Sequence, residues 1–204
     1  MNNLSNSSCR LLLFTLLLIL LTPYGTTAGE KVRVVTTIPT LKDFVRQVGG
    51  ERVEVVSLLK GGEDLHTFDP RPSDSRAVYN AEIVIKIGIG LDDWVDKVAA
   101  ASGNRKLIVI ETSKGVNIIS SPGENPSHTH GNPHIWHDPE NAKVMVENIY
   151  QAFIKASPAN ADYFKVNKDA YIARLTDLDK ELDATISDIK DRRVVTYHPG
   201  WAYL

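Results

Sequence analysis

Short β-branched runs alternate with amphipathic stretches through the first half of this chain, and that alternation narrows the choice of folds. KVRVVTT (31–37) reads as a strand. LKDFVRQVGG (41–50) places Leu41, Phe44, Val45 and Val48 on one helical face and ends in glycines. VEVVSLL (53–59) is a second strand, closed by Gly61-Gly62. A helix over 73–81, a buried strand IVIKIGIG (83–90), a helix LDDWVDKVAAAS (91–102) and a strand KLIVIET (106–112) follow. The order βαβ-αβ-αβ predicts an α/β fold, a mostly parallel sheet flanked by helices. Such sheets bind ligands beyond the carboxyl ends of their strands.

The second half changes character. Residues 113–133 are rich in Ser, Pro, Gly, Asn and His and read as a loop. Asp138-Pro139 is an N-cap followed by proline at the first helical position, and Ser157-Pro158 repeats the signal. From there to Lys190, Leu175, Leu178, Leu182, Ile186 and Ile189 recur at helical spacing. An unbroken helix of about 32 residues would reach roughly 48 Å, a rod joining two lobes. VVTYH (194–198) then reads as the first strand of a second α/β lobe. The expected organisation is a leader at 1–28, an N-terminal α/β lobe at 29–157, a long linker helix at 158–190, and the start of a C-terminal lobe at 191–204. The chain reads as truncated within that second lobe.

Arg10, the apolar run Leu11–Leu21 and the small-residue stretch ending at Ala28 form an export signal. The run is too short to span a bilayer, which takes about 20 residues. The single cysteine, Cys9, precedes it, so the exported chain would hold no thiolate for metal, disulfide or lipid. Losing the leader removes one positive charge, Arg10, from a chain of net charge −2, which speaks against nucleic acid as a partner.

Three histidines sit far apart, each in its own local motif: His66 in EDLHTFDPRPSD, His134 in NPHIWHDPEN and His198 in VVTYHPGWAYL. Neutral imidazole is a good ligand for zinc and other borderline metals, and ligands so scattered converge only if the whole fold brings them together. Pro70 and Pro72 stiffen the chain after His66. Pro133 and Asp138-Pro139 place His134 and His137 in a loop rather than a helix, so His134 is the expected ligand. His137 reads as solvent-exposed or as a neighbour of the site, and Trp136 as packing beside it. His128 and His130 have no assigned role beyond a loop that could gather metal. There is no HExxH helix and no carboxylate placed as a general base, which argues against a secreted zinc hydrolase and for no enzymatic activity.

The three motifs together resemble those of the periplasmic zinc- and manganese-binding receptors of ABC transporters (the ZnuA/TroA/PsaA-like solute-binding family). The residues are Asp64 to Asp74 around His66, Asn132-Pro133-His134-Ile135-Trp136, and Val194 to His198, with Leu65 where that family usually has proline. The resemblance implies two lobes with metal in the cleft. His66 and His134 would come from one lobe, His198 from the other, and a carboxylate beyond Leu204 would complete the site. Manganese-selective relatives usually have Glu where this chain has His198, so the implied cargo is Zn2+, with Mn2+ as the alternative. It further implies a periplasmic, monomeric protein that delivers the ion to a membrane permease. Relatives first described as adhesins leave cell adhesion with a merely structural metal as a rival.

Overall fold

The computed structural model describes residues 30–65, 68–120, 131–191, 193, 195–196 and 199–204. The leader and His66, His128, His130 and His198 lie outside these.

Four parallel strands form the sheet: β1 (Val32–Thr36), β2 (Val53–Ser57), β3 (Ile83–Lys86) and β4 (Ile108–Glu111), in the order β2-β1-β3-β4. Val34 faces Val55 on one side and Ile83 on the other, and Ile85 faces Ile110. Helices α1 (Pro39–Gly49), α2 (Pro72–Asn80) and α3 (Trp94–Ala101) connect the strands. Chain order reverses between β1 and β3, which makes their carboxyl ends the switch point where α/β sheets take ligands.

Successive side chains of a strand point to opposite faces, and both faces here are covered. Val34, Ile83 and Ile85 pack with Leu41, Phe44 and Val45 of α1. Met145, Val146, Ile149 and Phe153 of α4 (Pro139–Ala156) join the same cluster, as does Phe164 of α5 (Ala161–Ser187). Phe153 and Phe164 are fully buried with ring centroids 5.1 Å apart, which pins α5 to α4. Val35 and Val84 point the other way, to Val78, Val95 and Val98 of α2 and α3. Each such buried side chain stabilises the fold by about 1.5–3 kcal/mol relative to exposure.

Two expected elements differ in length. The strand predicted over 83–90 ends at Lys86, because Gly88, Ile89 and Gly90 turn to φ of 88°, 59° and 80°. A β-branched residue in that region is strained, by roughly 1–3 kcal/mol. Asp92 holds the turn, its carboxylate accepting from the amides of Ile87 and Gly88, both at 2.8 Å. The rod predicted over 158–190 is also shorter. Pro158–Asn160 forms a tight 3₁₀ turn, with Ser157 at φ −140° ahead of it, and α5 begins only at Ala161. Its 27 residues end at Ser187, a length of about 40 Å. After Leu175 no residue of α5 is buried. Of the strand expected at 194–198 only Val195 and Thr196 are described; both are exposed and neither is assigned to a strand. Among the described residues, no helix is long and apolar enough to cross a membrane.

Candidate metal-binding site

Asn132, Pro133 and His134 are all buried, in a loop that enters α4. Asp138 caps that helix as expected: its carboxylate accepts from the Glu140 amide at 2.7 Å, and Pro139 takes the first helical position. Between them Ile135–His137 forms a 3₁₀ turn, so the loop expected around His134 is more regular than its prolines suggested. Three residues per turn stack i over i+3. The rings of His134 and His137 accordingly lie 6.5 Å apart and 20° from parallel.

The Asn132 side chain sets the His134 ring. Its Oδ1 accepts from the His134 backbone amide at 3.0 Å, which identifies that atom as the oxygen. The same Oδ1 lies 2.8 Å from Nδ1 of the ring, so Nδ1 must carry the proton. In the neutral ring Nε2 is then the nitrogen that carries no proton. A backbone or side-chain acceptor on one ring nitrogen is how proteins fix the tautomer of a metal-binding histidine. Only 5% of His134 is exposed, so the ring is already held in place by its surroundings.

His137 is half-buried rather than solvent-exposed. It packs 5.3 Å from Trp136 and 4.5 Å from Trp201, and burial lowers its pKa from the ordinary value. Trp136 packs on the core and lies 5.2 Å from His134, a wall rather than a ligand.

Leu65 packs on the main core and Phe68 on both clusters. Phe68 meets Trp94 at 4.8 Å between ring centroids. Arg71 and Asp74 close the following turn: the Asp74 carboxylate accepts from the Arg71 amide at 2.8 Å, just where α2 starts. Of the three expected ligands His134 alone is described, and among the described residues no three His, Cys, Asp or Glu side chains gather closely enough to hold a metal. The arrangement of His66 and His198 about it stays an expectation.

Sequence reasoning missed two supports of this region. Asn132 stands in the motif, but its role depends on a side chain reaching two residues forward, which no periodicity reveals. Asp92 falls within the helix predicted over 91–102 and has no role assigned there; it is 1% exposed and holds the switch-point turn. Its signal was an acidic residue directly after Gly-x-Gly-Leu at a strand end.

A four-stranded parallel sheet with helices packed on both faces defines an α/β domain. The chain belongs to the family described as "Zinc-uptake complex component A periplasmic", whose model matches residues 34–204. It is similar to a protein of Treponema pallidum named for metal binding, with 30% identity over 193 residues, 90% of this chain and 61% of that one. The high-affinity zinc uptake system protein ZnuA of Bacillus subtilis is 28% identical over 186 residues, 86% of this chain and 58% of its own. The crystal structure of a zinc-bound ZnuA deletion mutant superposes with a TM-score of 0.79 at 30% identity, covering 85% of this chain and 65% of the other. The chain thus spans about three-fifths of the length of these relatives.

Proposed function

We propose that this chain belongs to a periplasmic zinc receptor, which captures Zn2+ as cargo and hands it to the membrane permease of an ABC transporter. Residues 1–28 act as the export signal, 29–157 as the metal-receiving lobe, 158–190 as the connection and 191–204 as the beginning of a second lobe. His66, His134 and His198 bind the ion. The observation that carries this reading is the Asn132–His134 pair, in which an amide oxygen beside Nδ1 orients a buried imidazole in one tautomer, as partners of metal-binding histidines do. Three imidazoles favour zinc over manganese, which prefers carboxylate. A receptor of this kind performs no chemical turnover.

A competition titration against a chromophoric chelator tests it. The purified chain should take one Zn2+ and hold it more tightly than Mn2+. The reading fails if a variant lacking His66, His134 and His198 together binds zinc as well as the parent.

A further inference from the structure

Three hydrogen bonds close a ring beside His134. The Asn132 amide donates to the Ile119 carbonyl at 2.9 Å. The Ile119 amide donates to the Tyr203 hydroxyl at 3.1 Å, and that hydroxyl donates to the Asn132 carbonyl at 2.7 Å. Gly131, at φ +104°, permits this approach: a Cβ there would lie 2.4 Å from Ile118 Cγ2 and 3.1 Å from the Ile119 carbonyl oxygen. Tyr203 lies five residues after His198 in the sequence and packs against the main core. Its neighbour Trp201 lies on the His137 ring.

The ring bonds hold both peptide planes flanking the Asn132 Cα, one through its amide and one through its carbonyl. Fixing those planes fixes φ and ψ, and therefore the direction of the Asn132 Cα–Cβ bond. The side chain so aimed is the one that orients His134. Pro133 makes the next step stiff as well.

We propose that Tyr203 is a positioning residue for His134, acting through Asn132; as a role in metal binding, this rests on His134 being a ligand. The segment after His198 would thereby help set the tautomer of an imidazole contributed by a loop about 70 residues earlier. Docking of that segment and readiness of the site become one event.

Tyr203→Phe keeps the ring and removes both hydroxyl bonds. Tyr163→Phe is the matched control: the Tyr163 hydroxyl accepts from the Glu51 amide at 3.2 Å, at the contact of α5 with the turn after α1. In the metal-free 204-residue chain at about pH 8, where histidine is neutral, nitrogen-15 NMR reads the two ring nitrogens of His134 directly. The parent and Tyr163→Phe should show a protonated Nδ1 and a bare Nε2. Tyr203→Phe should show both signals moving toward a tautomer mixture, with zinc affinity falling about tenfold, the lower end of what outer-shell partners cost. Ring signals unchanged in Tyr203→Phe, or moved equally by Tyr163→Phe, would overturn the proposal. A parent chain that binds no zinc would instead overturn the receptor reading, since the ring signals judge Tyr203 without metal.

Discussion

The hydroxyl of Thr37, at the end of β1, donates to the buried carboxylate of Asp92, beyond β3, at 2.5 Å. The two residues are 0% and 1% exposed and tie together the strand ends between which chain order reverses. The same carboxylate holds the left-handed turn at Ile89, and Trp94, two residues on, packs on Phe68 beside the His66 segment. A polar clasp at the switch point thus supports the loop expected to carry a ligand.

Burial pushes the Asp92 carboxyl up from its ordinary value, while the Thr37 hydroxyl and the amides of Ile87 and Gly88 oppose that shift. A raised carboxyl costs the fold stability as pH climbs from the ordinary carboxylate value through the folded one. Thr37→Val removes one opposing donor and widens that interval. It should destabilise the protein by about 1.5–3 kcal/mol at neutral pH and by less near pH 4, measured by urea denaturation of metal-free protein. Equal losses at both pH values would contradict this account of the clasp.

Asn132→Leu keeps the approximate volume but removes the acceptor for Nδ1 of His134. Zinc affinity should fall by about 10- to 100-fold in chelator competition. An unchanged affinity would show that the ring does not need this partner.

His137 offers a second pH test. Burial lowers its pKa, so the neutral ring contributes stability above the ordinary value of about 6.5. That contribution is lost as pH falls through the lowered folded value. In chelator, urea midpoints of the parent should drop more steeply from about pH 7.5 to 5 than those of His137→Phe, which keeps an aromatic ring against Trp201 and has nothing to protonate. Parallel profiles would mean that His137 is solvated like an ordinary surface histidine.

The sheet and its covering helices were readable because their signals are local and repeated. Val34 and Val35 face opposite cores as strand alternation requires, and Leu41, Phe44, Val45 and Val48 form one buried helical face. Asp138-Pro139 announced the start of α4 by capping chemistry alone. The misses have a different physics. Pro158 was read as the first residue of a helix, yet the chain makes a separate 3₁₀ turn before α5, a choice of hydrogen-bond partner one residue apart that composition does not settle. Ile89 has no sequence reason to be left-handed; a carboxylate three residues later holds the turn. Asn132 and Tyr203 act over contacts 2 and 71 residues away. Their residue types were visible and their geometry was not.

X-ray absorption at the zinc edge of the metal-loaded chain measures the ligands themselves. Imidazoles from residues far apart in sequence, drawn by the fold onto one cation, should appear as three scatterers with Zn–N distances of about 2.0–2.1 Å and oxygen in the remaining position. Substituting His134 with Ala should remove one of the three. A spectrum with a single imidazole, or one that His134→Ala leaves unaltered, would contradict the assignment.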